Sequence, residues 1–270
     1  MNRHLPTLLS LVLAVALLPG CGDRRPAAAR PLTLLCAAGL QPAVDELLPA
    51  FAAESGIAMV PDYAGSGMIL ARASADTAAD LFLPGDSFYV DALQKTAGRV
   101  AERTDIAFLV PCIIVAKGNP KQVLSLQDFA RAGLQVARGR PEACQIGRVT
   151  VALLEKAGVA PEGLNAKESL TVNELALWVK IGDVDAAVVW DATAAALGEA
   201  VDTVPIPPDP TCVSRVTLAR LTSAGDVDAA RQFMRFCTGP HGRDILRRAG
   251  FRVEPPGGLP PLRTSQREGA

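Results

Sequence analysis

The sequence is poor in histidine and in aromatic residues, and both shortages exclude classes of chemistry. Of 270 residues only two are histidine, His4 and His241, and aromatic residues make up 4%. A hydrolase that pairs a serine or cysteine with a histidine base would have to use His241. That residue lies in the turn-forming sequence GPHG at 239–242. We therefore interpret it as an exposed loop histidine, and we expect no catalytic residues and no enzymatic activity.

Metal-binding motifs and a strong net charge are missing as well. No Cys-x-x-Cys occurs, and no cluster of cysteine and histidine residues has the spacing of a zinc site, so we expect no bound metal and no cofactor. The 27 basic residues include Arg3 in the N-terminal leader, which leaves 26 basic against 28 acidic residues and a net charge of −2. That balance offers no attraction to nucleic acid.

The apolar run at the N-terminus is too short to span a membrane, which takes about 20 apolar residues. It extends from Leu8 to Leu18, broken only by Ser10, after the positive charge of Arg3. This pattern predicts a cleaved signal peptide over residues 1–20. Cys21 follows Leu-Pro-Gly, which resembles the bacterial lipobox. We expect a lipid on Cys21, a tether over 21–31, and a periplasmic or extracytoplasmic protein held at the inner or outer membrane. An ordinary cleaved signal and a retained anchor are the alternatives.

Five further cysteines remain in the mature chain. They are Cys36, Cys112, Cys144, Cys212 and Cys237. Export favours disulfides, but an odd number means that at least one thiol is free or pairs between chains. The sequence leaves the pairing open.

From Pro31 onward, short apolar runs alternate with helical patterns. Strands are predicted at 32–36, 57–61, 80–83 and 106–110, with helices at about 41–55, 68–73 and 87–93 between them. This alternation indicates a parallel sheet covered by helices. A second unit follows over 111–205, and the strand at 214–221 with helices at 226–237 and 243–249 lacks a core of its own.

These patterns predict an α/β protein of two lobes, residues 32–110 with 206–254 and residues 111–205. Each lobe is expected to be a mainly parallel sheet flanked by helices, and the chain crosses between them twice. The tail over 255–270 contains PPGGLPP and is predicted to be disordered.

Four loops follow predicted strands, where ligands bind in open parallel sheets. They are 36–40, 63–68, 138–147 and the turn at Trp190-Asp191. The first two consist of small residues at helix starts, where backbone N–H groups can approach an anion. Ser66 adds a hydroxyl donor, although serine is also a common N-cap. Trp190 alone would indicate a core aromatic residue.

Six landmarks in these loops and strands resemble the molybdate-binding proteins of bacterial ABC importers, in order over residues 32–251. They are the small-residue loop ending in Leu40, Gly65-Ser66-Gly67, the stretch ADLFLPGD at 79–86, the loop GRPEACQIG at 139–147, the turn GDVDA at 182–186, and Gly250-Phe251. The resemblance implies the type II periplasmic-binding-protein fold, in which two lobes close by hinge motion around a ligand.

The resemblance also implies binding residues. Ser66 matches the family's second-loop serine, and a backbone contact of the third loop falls at Ile146 and Gly147. Gly39 stands where the family has a serine, and Trp190 stands where it has a tyrosine. Arg140 and Arg148, beside the third loop, are candidates for neutralising an anion.

The function that this implies is an extracytoplasmic solute-binding lipoprotein that takes a small tetrahedral oxyanion, molybdate or tungstate first, and delivers it to an ABC permease and ATPase complex. The loss of hydroxyl donors at Gly39 and Trp190 leaves the choice of oxyanion open. The alternative is a ligand-sensing or degenerate lipoprotein of the same fold that no longer feeds a transporter.

Overall fold

The structure, a computed structural model, describes residues 30–75, 78–207, 209–263 and 266–267. The predicted signal peptide, the lipidation residue Cys21 and the tether up to residue 29 lie outside the described residues. From Pro31 onward the chain forms one compact unit. Within the described ranges, no helix has the length and apolar character that crossing a membrane requires.

The described chain alternates strands and helices. The strands are β1 (Leu32–Ala37), β2 (Met59–Ala64), β3 (Leu81–Leu83), β4 (Val100–Leu109), β5 (Pro111–Ala116), β6 (Val136–Gly139), β7 (Ala166–Ser169), β8 (Ala186–Trp190), β9 (Val201–Pro205), β10 (Ser214–Leu221) and β11 (Gln266–Arg267). The α-helices are α1 (Gln41–Ser55), α2 (Ser66–Ala75), α3 (Ser87–Ala97), α4 (Gln145–Lys156), α5 (Val172–Lys180), α6 (Asp191–Leu197), α7 (Val227–Thr238) and α8 (Pro240–Arg248).

The strands form two sheets, which define the first and the second lobe. The first sheet has six strands in the order β11-β4-β10-β3-β1-β2, and the second has five in the order β7-β6-β8-β5-β9. Helices α7 and α8 pack against β10, β4 and α1, and therefore belong to the first lobe. The predicted two-lobed α/β fold is confirmed. The bounds predicted for the two lobes, 32–110 with 206–254 and 111–205, stay a prediction.

Both sheets are mixed, and the prediction of mainly parallel sheets is wrong. In the first sheet β1 runs parallel to β2 and β3, but β10 runs antiparallel to β3 and β4. In the second, β6 is parallel to β7 and β8, whereas β5 is antiparallel to β8 and β9. The mixed strand directions arise at the two points where the chain crosses between the lobes. Only Val110 separates β4 from β5, and residues 206–213 lead from β9 back into β10, so the strands at each crossing enter against the direction of their neighbours.

Helix α1 illustrates how the local sequence positions the core. Its side chains at helical spacing, Val44, Leu47 and Phe51, are buried, and burying each is worth about 1.5–3 kcal/mol. The Phe51 ring packs edge-on against Phe233 of α7, with 5.2 Å between centroids. The helix ends at Gly56, whose φ of 72° gives the left-handed cap that glycine tolerates best.

The C-terminal tail differs from its predicted disorder over the residues that the structure describes. The N–H of Arg263 donates to Asp105 at 2.9 Å, and the N–H of Asp105 donates to the Arg263 carbonyl at 3.0 Å. Gln266 and Arg267 then pair with β4 as β11. An edge strand presents unpaired backbone groups that readily accept another strand. The tail covers part of this edge of β4, a role that its composition does not indicate.

The five cysteines of the described chain are free thiols. Cys36, Cys144, Cys212 and Cys237 are buried and Cys112 is half-buried. Burial raises the pKa of the Cys112 thiol to about 12 and that of Cys144 to about 11. These thiols therefore stay protonated and neutral at physiological pH.

Candidate functional site

A small cavity of about 20 Å³ lies between the two lobes. This is in the range where a cavity begins to hold one small polar molecule, from roughly 10–15 Å³ upward. Its lining comes from all four predicted loops and from both lobes. The lining residues are Ala37, Ala38, Gly39, Leu40, Gly65, Ser66, Gly85, Leu109, Cys144, Gln145, Ile146, Thr171, Val172 and Trp190.

The N-terminal ends of four helices meet at this cavity. Leu40, Ser66, Gln145 and Val172 lie at the starts of α1, α2, α4 and α5, and all four line it. Among the described residues, the backbone N–H groups of Ser66, Gln145, Ile146 and Val172 have no hydrogen-bond acceptor. Each helix start carries roughly half a positive charge. Four such ends aimed at one cavity favour an anion.

Ser66 occupies the position that the sequence predicts, but it is not the N-cap. Its side chain is 3% exposed, and α2 begins at Ser66 itself, so Gly65 precedes the helix. The Ser66 hydroxyl oxygen accepts the N–H of Gly85 at 3.0 Å. In the described structure no α2 N–H donates to this oxygen, and its own hydrogen is available to a ligand.

Gly39 and Trp190 lie together in the cavity wall. A β-carbon on residue 39 would stand 2.7 Å from Cγ1 of Val172 and 3.8 Å from Cδ1 of Trp190. Because Val172 fills this space, the serine found here in the related family would not fit without a shift. Trp190 is 3% exposed at the end of β8. The Trp190 ring therefore borders the Gly39 loop through its Cδ1 atom.

The third loop contributes Ile146, as predicted, but not Gly147. Gly147 is absent from the cavity lining, and its N–H donates to the carbonyl of Cys144 at 3.1 Å. A β-carbon on Gly147 would stand 2.5 Å from the Gly139 carbonyl oxygen. This glycine therefore lets the start of α4 pack closely against the end of β6, and the neighbouring Gln145 lines the cavity in its place.

Neither predicted arginine lines the cavity. The exposed Arg140 pairs with Glu168, with 3.1 Å between Nε and Oε2. Arg148 places its guanidinium 3.8 Å from the ring centre of Phe88. Their role in neutralising a bound anion has no support in this closed structure and stays a prediction. Both guanidinium groups have partners outside the cavity.

The lining contains no charged side chain. Cys144 is the one lining residue with a shifted pKa, and burial raises that pKa to about 11, so it adds no negative charge. The cavity therefore offers backbone N–H groups, the Ser66 hydroxyl and the Trp190 indole to an acceptor-rich ligand. Helix dipoles and neutral donors, not cations, would balance the charge of an anion.

Several contacts join the lobes around the cavity. The N–H of Gly67 donates to the Ala143 carbonyl at 2.9 Å, and Asn173 Nδ2 donates to the Ala38 carbonyl at 2.9 Å. At the crossing, Arg252 Nε lies 2.7 Å from Asp191 Oδ2, and the other Asp191 oxygen accepts the N–H of Val110 at 3.1 Å. The lobes are closed on each other in this structure.

Sequence reasoning missed four lining residues of the second lobe, Cys144, Gln145, Thr171 and Val172. The signal for Thr171 and Val172 is the sequence Thr-Val-Asn-Glu at 171–174, a capping-box pattern. Thr171 does accept the N–H of Glu174 at 3.3 Å. Gln145 gives no sequence signal, because nothing in the pattern indicates that its amide is buried.

Other features of the described chain lie away from this site. Cavities of 570 and 350 Å³ occur beside the C-terminal tail and the second crossing, but no residue that opens α1, α2, α4 or α5 lines them. His241 lies half-exposed at the start of α8 and pairs with Glu54. Across the described residues, no cluster of three His, Cys, Asp or Glu could hold a metal ion.

Comparisons with solved structures support the two-lobed architecture. The periplasmic molybdate-binding protein of Azotobacter vinelandii matches with a TM-score of 0.67 and 21% identity, over 83% of this chain and 100% of that one. The sulfate-binding protein SubI of Mycobacterium tuberculosis matches with a TM-score of 0.68 and 20% identity, over 82% and 86%. At these identities the likeness shows the fold.

Sequence comparisons give the family. A "Putative binding protein" of Haemophilus influenzae is 32% identical over 223 residues, 82% of this chain and 90% of that protein. The molybdate-binding protein ModA of Mycobacterium tuberculosis is 28% identical over 256 residues, 92% and 97%. The similarity to molybdate-binding proteins that the six landmarks indicate is thus confirmed. The model of the bacterial extracellular solute-binding proteins matches residues 32–252, and this chain belongs to that family.

Proposed function

We propose that this protein is the receptor of a bacterial ABC importer and that it captures a small tetrahedral oxyanion between its lobes. Molybdate and tungstate are the first candidates, because a relative that matches nearly the whole chain is a molybdate-binding protein. The residues proposed to bind the anion are Gly39, Ser66, Ile146 and Trp190, which line one cavity.

The observation that supports this proposal best is the convergence of four helix starts on a cavity without charged side chains. A tetrahedral oxyanion has acceptor oxygens pointing in every direction, so it can use donors from both lobes at once. A cation would meet the positive ends of the helix dipoles. A large organic ligand would exceed a closed cavity of about 20 Å³.

The mechanism is binding and lobe closure without a chemical step. The open lobes admit the anion, and donors of the first lobe (Ser66) and of the second lobe (Gln145, Ile146) then surround it. Discrimination follows from cavity size and donor geometry, since a buried donor left unpaired by a wrong ligand costs about 1–3 kcal/mol. The closed form would deliver the anion to the permease and ATPase complex.

A thermal-shift panel tests the proposal. The full chain, purified in detergent, would be heated with molybdate, tungstate, sulfate, phosphate and nitrate in turn. A ligand that binds only the folded state stabilises it by mass action and so raises the melting temperature. At a hundredfold excess over the dissociation constant this stabilisation is about 2.7 kcal/mol. We expect molybdate or tungstate to give the largest shift. No shift with any of the five anions would contradict the proposal.

Lipid anchoring at Cys21 is a separate part of the proposal and has its own test. A lipid on this residue would hold the receptor beside its permease. Cys21→Ala should move the protein from the membrane fraction to the soluble fraction after cell disruption. Cys36→Ala, at a buried cysteine of the folded domain, is the matched control and should stay with the membrane. Membrane association of the Cys21 variant equal to wild type would refute the anchor.

A further inference from the structure

The buried side chain of Gln145 stands out in the cavity wall. Gln145 is 9% exposed at the first position of α4. Its Nε2 donates to the Ser214 hydroxyl oxygen of the opposite lobe at 3.1 Å. Its carbonyl oxygen Oε1 is buried and has no hydrogen-bond partner in the structure. A buried acceptor without a donor is costly, so the protein's own groups leave this amide incompletely satisfied.

Ser214 continues the network into the first lobe. The Ser214 hydroxyl donates to the Asp86 carboxylate, which also accepts the N–H groups of Phe88 at 2.8 Å and Arg215 at 3.2 Å. Asp86 therefore keeps two backbone donors if the hydroxyl of Ser214 turns elsewhere. That freedom allows Ser214 to donate to Gln145 instead.

Rotation of the Gln145 amide by half a turn would give both of its polar atoms and the Ser214 hydroxyl a hydrogen-bond partner once an anion is bound. The two ends of a glutamine amide have nearly the same shape, but one donates and the other accepts. With the amide turned, Oε1 accepts from the Ser214 hydroxyl and Nε2 is released as a donor. An oxyanion beside the unturned Oε1 would meet a repulsive lone pair, so a bound anion favours the turned amide.

We propose that Gln145 is an anion-binding and specificity-determining residue, with Nε2 donating to the bound oxyanion while Oε1 accepts from Ser214. This inference rests on the proposed oxyanion function. It also supplies a donor in a cavity where Gly39 and Trp190 replace two hydroxyl residues of the related family. Sequence alignment alone would miss it, because only the buried unpaired Oε1 and the bond to Ser214 identify it.

Isothermal titration of the full chain with molybdate, or with whichever panel anion binds best, tests the proposal through three variants. Gln145→Leu removes the amide at similar size and should weaken binding about ten- to hundredfold, the value of a hydrogen bond to a charged group. Gln145→Glu presents only acceptors and a negative charge, so it should bind more weakly still. Ser214→Ala removes the bond between the lobes but keeps the amide, and should lose less affinity than Gln145→Leu.

The outcomes separate this proposal from the proposed function. A wild type that binds no panel anion overturns the function itself. If the wild type binds an anion but Gln145→Leu has the same affinity as the wild type or as Ser214→Ala, only the role proposed for Gln145 is overturned. Full affinity in Gln145→Glu would show that the residue acts as an acceptor for a protonated ligand, which also overturns it. Thermal unfolding without anion verifies that each variant is folded.

Discussion

Ser66 serves the backbone and the cavity at the same time. Its oxygen accepts the N–H of Gly85, which positions the turn before α3, and its hydrogen stays available on the cavity side. A hydroxyl is suited to this because it combines one donor with two acceptor lone pairs. The same side chain can thus hold two loops of the first lobe together and contact a ligand.

Ser66→Ala should lower anion affinity about ten- to hundredfold, because a hydrogen bond to a charged group contributes roughly 1.5–3 kcal/mol. Calorimetric titration with the best panel anion measures this. Ser74→Ala is the control on the same helix: Ser74 donates to the carbonyl of Leu70 at 2.9 Å and does not line the cavity. Equal dissociation constants for wild type and Ser66→Ala, with only a lower melting temperature, would mean that Ser66 is structural.

Glu102, on β4, is a buried carboxylate of the first lobe. It is 3% exposed and pairs with Arg231 and Arg220. Hydrogen bonds from Arg231 and then Arg220 lower its pKa to about 2. Such a carboxyl stabilises the fold above its ordinary pKa of about 4.3. That stabilisation is lost as the pH falls from there through about 2.

Glu102→Gln should therefore lower the free energy of unfolding at pH 7 by about 3 kcal/mol, since it leaves two arginines facing a neutral amide. The variant should also lose less stability than wild type between about pH 4.5 and 2. Urea unfolding at pH 7, 4 and 2.5 measures both effects. Asp228→Asn is the control, because Asp228 also lies near Arg231, at 3.9 Å, but its carboxylate is exposed to solvent. A parallel pH profile for Glu102→Gln and wild type would contradict the assignment.

At the scale of elements, the strand-loop-helix pattern predicts the helix starts that form the cavity. It gives α1 and β10 their observed bounds, because apolar side chains there repeat at helical or strand spacing. It misses the first half of β4, where Glu102 and Thr104 are buried although they are polar. It also misses β7, an edge strand of mostly polar residues, of which Lys167 and Glu168 are exposed. In the sequence alone, polar residues that pair inside a sheet cannot be told apart from the polar residues of a loop.

Glycines at the start of α2 let the second lobe approach this helix end. A β-carbon on Gly67 would stand 1.9 Å from the Glu142 carbonyl oxygen, and one on Gly65 would stand 2.4 Å from that of Ala143. Both oxygens belong to backbone of the opposite lobe, which cannot rotate away as a side chain can. The small residues of this loop are therefore required for closure as well as for the approach of an anion.

The Gly67→Ala variant should fold normally, but its two lobes should close less completely. Overpacking of this kind costs about 1–3 kcal/mol, so we expect affinity to fall about ten- to hundredfold, with little change in the melting temperature of the anion-free protein. Gly163→Ala is the control, since a β-carbon there meets nothing within 4 Å. Titration and thermal unfolding of both variants test this. Unchanged affinity in Gly67→Ala would show that the closed arrangement is not the binding form.

For the molecule as a whole, the contacts that hold the lobes together join residues far apart in the sequence. Gln145 meets Ser214, Asn173 meets Ala38, and Arg148 meets Phe88. Periodicity reports only the local surroundings of a residue, so it gives no information on such pairs. This is why the sequence places Arg148, next to the third loop, beside the anion, whereas in the structure its guanidinium contacts Phe88. In the closed molecule its nearest aromatic partner lies on α3 of the other lobe.

Arg148 and Phe88 offer a test of closure that is independent of the cavity. Arg148→Ala should weaken anion binding only about two- to fivefold, since a cation–π contact at the surface is worth about 0.5–1 kcal/mol. Phe88→Ala should have a similar effect, and the double variant should be no weaker than either, because both changes remove one contact. Measured dissociation constants of the four proteins complete this cycle, and most of the loss should be a faster dissociation rate. An arginine that neutralised the anion directly would behave differently. Arg148→Ala would then lose far more affinity, with or without the ring of Phe88, and the two substitutions would add.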